Sequence, residues 1–126
     1  MQILIVAGGI HSLLFALFHC LFWQKLNWKK ALACLDATNN AVLQILNLRI
    51  IFIFFFHTYL CLFHTVALLT SSIGRVLLVG SAMFWLGRTI EQFIFIKKLP
   101  FNNPFSYLLT VLFITGSIVY LIPLFA

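Results

Sequence analysis

Apolar residues fill four long stretches of the chain, and polar residues gather between them. The stretches cover residues 3–23, 41–63, 73–96 and 105–125. A helix needs about 20 mostly apolar residues to cross the hydrocarbon core of a bilayer, which is about 30 Å thick. Each stretch reaches that length, so the pattern predicts an all-α protein with four transmembrane helices, called spans one to four.

The segments between the spans predict how the helices start and pair. Residue types that cap helices precede two of the spans: Asp36, Thr38 and Asn39 before span two, and Thr70, Ser71 and Ser72 before span three. Asn103 can cap span four, and Pro104 suits its first helical position. Because the second and third loops are short, and short loops join antiparallel neighbours, we expect an up-down bundle.

The first loop, residues 24–39, is the only connection long enough to hold structure of its own. Trp28, Leu32 and Leu35 fall on one face of a helix, at i, i+4 and i+7. This spacing predicts a short helix that lies in the membrane interface, with Trp28 at the level of the headgroups. An irregular loop with a chance spacing is the alternative.

Composition agrees with a single membrane-embedded domain over residues 1–126. Hydrophobic residues make up 63% of the chain and charged residues 8%, whereas soluble domains carry about 25% charged residues. Four spans use nearly the whole length, so no second domain is expected.

The lysines give the chain an orientation and argue against nucleic-acid binding. They flank the spans in the first and third loops, whereas the second loop holds only Arg75. Because cytoplasmic loops are enriched in Lys and Arg, we expect loops one and three in the cytoplasm and both termini outside. A nucleic-acid surface would need a clustered basic face in water, which a net charge of +6 spread over loop ends does not supply. The lysines concerned are Lys25, Lys29, Lys30, Lys97 and Lys98.

Costly polar side chains collect in the cytoplasmic half of the predicted spans. With a rise of about 1.5 Å per residue, most of them lie roughly 6–15 Å inside the cytoplasmic helix ends. A charge at the centre of a membrane helix costs about 2.5–3.5 kcal/mol, so such residues usually face the bundle and mark functional sites. We therefore predict a polar pocket formed by His19, Gln44, Asn47, Arg88, Glu91 and Gln92, with His11 and Arg49 as additional candidates.

Two arginines and one carboxylate would give this pocket a spare positive charge. Arg88 and Glu91 are spaced at i, i+3 and can pair on their own helix. Arg49 lies about half a turn away from the Asn47 stripe, so it either joins the pair or extends towards the lipid headgroups. We expect the pocket to bind an anionic lipid headgroup or a small anion, with Arg88 holding the anion and Glu91 orienting Arg88. A structural ion pair beside a snorkelling arginine is the alternative.

No metal or cofactor is predicted. His57, Cys61 and His64 share one helix face, but three residues on a single straight helix rarely close around one metal, and we interpret them as interfacial side chains. A haem would need two axial ligands at one depth, whereas His11 and His57 lie about 18 and 27 Å from the inner edge. Met83 matches His11 in depth, which alone is weak support. With no nucleophile–base pair, an enzyme is the least supported class.

Small residues predict where the helices approach closely. They recur every four positions in span one, from Gly8 to Cys20, and Gly80 and Gly87 share a face of span three. In lipid, such stripes let helix backbones pack together. Phe54 and the neighbouring phenylalanines occur on all sides of span two, so we expect them to face lipid.

Three segments resemble a group of small four-span bacterial inner-membrane proteins of unassigned function, namely GGIHSLLFALFHCLFW, NNAVLQILNL and FWLGRTIEQFIF. The resemblance covers spans one to three and implies a location in the bacterial inner membrane, with no activity attached. Two better-known families of this size do not fit. Small multidrug transporters carry an essential Glu in the first span, which is absent here, and fluoride channels place an Arg after a Gly-rich motif where this chain has His11.

The polar stripes leave two other functions open. A homo-oligomeric transporter or channel would line its path with them at a symmetric interface, because four short spans make a thin wall for a pore through one chain. An accessory subunit of a larger membrane complex would use them to dock a membrane-protein partner.

Overall fold

A computed structural model describes residues 1–96 and 104–125 of the chain, with only the backbone of the last residue of the first range. Lys97, Lys98 and Asn103, on which the predicted orientation and one helix cap partly depend, lie outside the described residues. The elements are α1 (Gln2–Cys20), α2 (Phe22–Lys25), α3 (Trp28–Ala33), α4 (Ala37–Phe63), α5 (Thr65–Thr70), α6 (Ser72–Ile96), α7 (Pro104–Leu121) and a 3₁₀ turn (Ile122–Leu124).

Four of these helices are long and apolar enough to cross a membrane. They are α1, α4, α6 and α7, and they coincide with the four predicted spans. No strand occurs in the described ranges, so the prediction of an all-α protein with four membrane-length helices is confirmed. With 27 residues, α4 is about 40 Å long and exceeds the roughly 30 Å hydrocarbon core.

Local capping chemistry sets the helix starts, as the sequence predicted. The carboxylate of Asp36 accepts hydrogen bonds from the backbone N–H groups of Thr38 and Asn39, both at 3.0 Å, at the start of α4. The Ser71 hydroxyl accepts from the backbone N–H of Gly74 at 3.0 Å, at the start of α6. Pro104 is the first residue of α7, where its missing N–H costs nothing.

The first loop contains two short helices, α2 and α3, joined at Asn27. Asn27 has a φ of 50°, in the left-handed region that Asn tolerates better than most residues. Leu32 is buried and Trp28 is half-buried, as expected for the inner face of a short helix. Leu35 follows the end of α3 and is exposed, so the predicted apolar face is shorter than its spacing suggested.

The helix α1 packs along both α4 and α7, and α6 packs along α7. In the α1–α4 pair, Thr58 contacts Gly9 and Asn47 contacts His19. In the α1–α7 pair, Tyr120 is the residue that approaches Gly8. Because residue numbers fall along α1 as they rise along α4, the α1–α4 pair runs antiparallel. The backbones of α4 and α6 approach each other much less closely, which leaves a groove between these two consecutive spans.

Four of the described glycines permit close approaches, and neither of the two predicted in span three is among them. A β-carbon at Gly8 would lie 2.7 Å from the Tyr120 ring, and one at Gly116 would lie 2.7 Å from the Trp85 ring. A β-carbon at Gly80 or Gly87 would meet no described atom within 4 Å. The expectation of close packing at Gly80 and Gly87 is therefore wrong, and α6 uses Gly80 to widen the groove instead.

Aromatic rings fill the centre of the bundle. Phe54 is buried and stacks on Trp85, with ring centroids 5.7 Å apart, so the expectation that it faces lipid is wrong. Its neighbours Phe55 and Phe56 are exposed, as expected. Phe54 and Trp85 reach towards each other across the groove between α4 and α6, and they divide it into two cavities.

Candidate functional site

The groove between α4 and α6 contains a cavity on each side of the Phe54–Trp85 stack. One lies towards the end of the bundle where α1 finishes and α4 begins, which we call the basic end because α2 and α3 place three lysines there. The other lies towards the opposite end. We call them the basic cavity and the neutral cavity, after the polar side chains that line each one.

The basic cavity has a volume of about 310 Å³ and is lined mainly by aromatic rings. Among the described residues, its charged or ionisable side chains are His19, at the end of α1, and Arg88, on α6. Phe22, Phe105 and Phe113 contribute rings from α2 and α7. The structure therefore brings two of the six predicted site residues to one cavity.

Arg88 is positioned by an aromatic ring more than by its carboxylate neighbour. Its guanidinium carbon lies 4.5 Å from the centroid of the Phe113 ring, in a cation–π contact. One guanidinium nitrogen is 3.6 Å from a carboxylate oxygen of Glu91, which is long for a strong charged hydrogen bond. The Arg88 side chain is 37% exposed and the Glu91 side chain 57% exposed. Glu91 is thus the more exposed partner and offsets only part of the positive charge.

His19 is held in place by a partner outside the cavity. Its Nδ1 lies 2.9 Å from Oδ1 of Asn47, and the Asn47 amide nitrogen donates to the His19 carbonyl at 3.1 Å. Because an amide oxygen only accepts, Nδ1 carries the proton in the neutral ring and Nε2 is the acceptor. Asn47 is therefore a positioning residue that fixes the imidazole orientation.

The other predicted site residues do not line this cavity. Gln92 is buried and donates to Ser106 on α7, at 3.3 Å to the hydroxyl. Gln44 bonds to Asn40 on its own helix. Arg49 is exposed, with its guanidinium carbon 6.0 Å from the Phe52 ring, on the outer face of α4.

His11 is buried between α1 and α7, apart from the basic cavity. Its Nε2 donates to the Leu112 carbonyl at 2.9 Å, and its ring stands edge-on to Trp85 with centroids 4.6 Å apart. Its Nδ1 is buried and has no hydrogen-bond partner among the described residues. Since its other nitrogen already donates, this Nδ1 is an acceptor in the neutral ring.

The neutral cavity has a volume of about 400 Å³ and borders a hydrogen-bonded cluster that joins all four spans. Nδ1 of His57 lies 3.0 Å from the Ser12 hydroxyl and 3.3 Å from the Tyr120 hydroxyl, and Nε2 lies 2.8 Å from the Ser81 hydroxyl. The Ser12 and Tyr120 hydroxyls are themselves 3.1 Å apart. We call these four residues the imidazole–hydroxyl network.

The tautomer of His57 with its proton on Nε2 gives every donor in this network an acceptor, while Nδ1 can accept from only one of the two hydroxyls near it. Ser81 donates its own proton to the Leu77 carbonyl at 2.8 Å, so its oxygen accepts from Nε2–H of His57. Nδ1 of His57 is then an acceptor for one of the two hydroxyls, Ser12 or Tyr120, while the other hydroxyl donates to its neighbour. In the neutral network all four donors are therefore used. The hydrogen-bonding sites that remain unused are lone pairs on the hydroxyl oxygens.

This network was not predicted from the sequence, in which His57 was interpreted as an interfacial side chain. Depth in the membrane could have indicated part of the network, because Ser12 and Ser81 each lie about 14–15 Å from the start of their helices. An ionisable residue inside a span is also a functional candidate by default, and His57 met that condition. Tyr120 gave no signal, because tyrosines are common near helix ends in membranes.

The remaining metal-ligand candidates are separated. Cys61 lies against His57, with Sγ 3.9 Å from Nδ1, whereas His64 is exposed and bonds to the Tyr59 hydroxyl. Over residues 1–96 and 104–125, no group of three His, Cys, Asp or Glu side chains could hold a metal ion.

Comparison of the chain with protein-family models, curated proteins and solved structures finds no match. The resemblance to small four-span bacterial proteins therefore stays a prediction, and the two cavities are the structural features that indicate a function.

Proposed function

We propose that this integral membrane protein binds an anionic amphiphile in the basic cavity, with Arg88 as the residue that holds the anion. In this proposal the four spans form an up-down bundle in a cytoplasmic membrane, loops one and three face the cytoplasm, and both termini lie outside. The observation that carries the proposal is the Arg88 guanidinium beside an aromatic-lined cavity of about 310 Å³.

Charge is the first support for an anionic ligand. A guanidinium inside a span is costly unless it is paired, and the Glu91 carboxylate that pairs with Arg88 is 3.6 Å away and more than half exposed. Arg presents several N–H donors in a planar fork that matches carboxylate and phosphate oxygens. A bound anion would supply the partner that Glu91 supplies incompletely.

Shape and surroundings favour an amphiphile over a free ion. The cavity is lined mainly by aromatic rings and lies in a groove between α4 and α6, and its volume is at the lower end of those that bind small molecules. The basic cavity is flanked by exposed apolar side chains such as Ile50 and Phe84. An acyl chain could follow these side chains while the headgroup reaches Arg88.

His19 restricts which lipid headgroups can bind in the basic cavity. Because Asn47 fixes Nδ1 as the donor, Nε2 is an acceptor and would repel a bare anionic oxygen. A headgroup that combines a phosphate with a hydroxyl would match both residues, the phosphate at Arg88 and the hydroxyl at His19. A glycerol phosphate headgroup has this combination.

Native mass spectrometry from mild detergent tests the proposal directly. The protein is titrated with phosphatidylglycerol or with phosphatidylcholine of the same acyl chains. We expect one phosphatidylglycerol per chain to be retained preferentially, and the preference to fall about tenfold or more in Arg88→Gln, since hydrogen bonds to charged groups are the strong ones. Arg49→Gln is the matched control, because Arg49 lies outside the groove and its loss should leave the preference intact.

Competition with free glycerol 3-phosphate identifies the part of the ligand that binds. Displacement of the lipid at comparable concentration would make the headgroup alone the ligand, whereas no displacement would require the acyl chain. A preference that survives Arg88→Gln would contradict the proposal. A stable oligomer whose interface covers the groove would also contradict it and would favour the transporter, channel or accessory function.

A further inference from the structure

We propose that the neutral cavity is a second ligand site, which takes an apolar molecule through one hydroxyl group. The site goes beyond the basic cavity, because the Phe54–Trp85 stack separates the two and no charged side chain in the described part of the chain lines it. Its polar side chains are Ser12, His57 and Ser81, and its apolar walls include Trp85.

The hydrogen bonds already made by Ser81 and His57 leave an acceptor free but no donor, so they favour a ligand that donates a hydrogen bond. Ser81 gives its proton to Leu77 and accepts from His57, which leaves one lone pair on its oxygen. His57 has no spare donor, because its single N–H points to Ser81. A ligand carbonyl or an anion would therefore have to break an existing bond, whereas a ligand hydroxyl can donate to the Ser81 oxygen and break none.

The depth of the site makes this preference selective. Ser81 lies about 14 Å from the start of α6, near the middle of a hydrocarbon core of about 30 Å. A hydroxyl without a partner is strongly disfavoured in such surroundings. An alcohol that enters the groove therefore gains a hydrogen bond to Ser81 that lipid tails cannot provide. Apolar molecules without a donor gain nothing over the surrounding lipid.

Gly80 supplies the space for this ligand. It lines the neutral cavity, and a β-carbon there would meet no described atom within 4 Å. Gly87, on the same helix, is equally open but does not line the cavity. Gly80→Leu should therefore fill the site without disturbing the fold, and Gly87→Leu is its matched control.

Quenching of Trp85 fluorescence by a matched pair of probes tests the site. In a Trp23→Phe, Trp28→Phe background, Trp85 is the sole tryptophan of the chain. The full-length protein in phosphatidylcholine nanodiscs is titrated with 4-bromobenzyl alcohol or 4-bromobenzyl methyl ether, compared at equal mole fraction in the bilayer. The two probes share the bromine that quenches and differ in the hydrogen-bond donor.

We expect the alcohol to quench saturably, with a half-saturating mole fraction roughly 2- to 12-fold below that of the ether, as one net hydrogen bond would give. The saturable phase should disappear in Gly80→Leu and persist in Gly87→Leu. In Ser81→Ala, the acceptor is removed and the N–H of His57 is freed, so the advantage of the alcohol should vanish.

Equal quenching by the two probes would overturn the proposal and leave the network as a structural tie between helices. Saturable quenching that survives Gly80→Leu would also overturn it, because the probe would then bind elsewhere. The result is independent of the basic cavity, since Arg88→Gln should leave the preference for the alcohol unchanged.

Discussion

His19 and Asn47 bind each other through two hydrogen bonds that cross from α1 to α4. The His19 ring nitrogen lies 2.9 Å from the Asn47 side-chain oxygen, and the Asn47 amide donates to the His19 carbonyl at 3.1 Å. The donor and acceptor roles are complementary, so the pair fixes the amide orientation of Asn47 and the tautomer of His19 together. It also ties the basic end of α1 to α4.

Asn47→Leu should therefore destabilise the bundle by about 1–2 kcal/mol, since interhelical hydrogen bonds in membranes average about 0.6 kcal/mol and reach about 1.7. Gln44→Leu is the control, because the bonds of Gln44 to described residues stay within its own helix, and its loss should cost less than about 0.5 kcal/mol. Unfolding in mixed micelles by increasing dodecyl sulfate measures both free energies. Equal effects of the two substitutions would show that the cross-helix pair adds nothing to stability.

Glu91 should weaken anion binding at Arg88, even though the sequence spacing suggested that it orients the arginine. Phe113 already positions the guanidinium at 4.5 Å, and the Glu91 carboxylate competes with an incoming anion at 3.6 Å. We expect Glu91→Gln to raise the affinity for phosphatidylglycerol a few-fold in the lipid titration. Phe113→Leu should lower it, because the guanidinium then loses its ring contact. A lower affinity of Glu91→Gln would instead support the orienting role.

The sequence predicted the helices well because their length, apolarity and caps are local properties. Asp36, Ser71 and Pro104 act on the backbone within three residues, and each occupies the predicted position. Which side of a span faces the bundle is a different question. In lipid, a buried and an exposed phenylalanine have equally apolar surroundings, so sequence could not separate buried Phe54 from exposed Phe55.

Sequence could predict a residue of the candidate site only where placing its side chain in a membrane costs much free energy. Arg88 is expensive in a membrane wherever it points, so its selection needed no knowledge of packing. Gln92 and Gln44 were selected on the same principle, yet uncharged amides can be satisfied by one nearby partner, as Ser106 and Asn40 show. The contacts that build the imidazole–hydroxyl network join residues up to 108 positions apart, a separation that no local pattern encodes.

Gly8 and Gly87 should respond in opposite directions to the same substitution. A β-carbon at Gly8 would lie 2.7 Å from the Tyr120 ring, so Gly8→Ala forces the ring to move and should cost about 1–3 kcal/mol. At Gly87 the space is open, and Ala there should stabilise the helix by up to about 1 kcal/mol. Unfolding in mixed micelles measures both, and a stable Gly8→Ala variant would contradict the close contact between α1 and α7.

Asp36 should make the stability of the chain depend on pH in the acid range. Hydrogen bonds from Asn39, first from its backbone N–H and then from its side chain, hold the pKa of the Asp36 carboxyl below its usual value. Because the folded state favours the charged carboxylate, its contribution is present above the usual pKa, about 3.9, and is lost as the pH falls through the lowered pKa.

The thermal unfolding midpoint in detergent, measured between pH 5 and pH 2.5, should therefore fall for the wild type and fall less for Asp36→Asn. An asparagine keeps a capping side chain but has no proton to gain in this range. The chain has only two acidic side chains, so Glu91→Gln is measured alongside, and Asp36→Asn should reduce the decline more than Glu91→Gln does. If Asp36→Asn loses stability as steeply as the wild type, the cap at α4 is not the group that titrates, and the hydrogen bonds from Asn39 do not hold the carboxylate in solution.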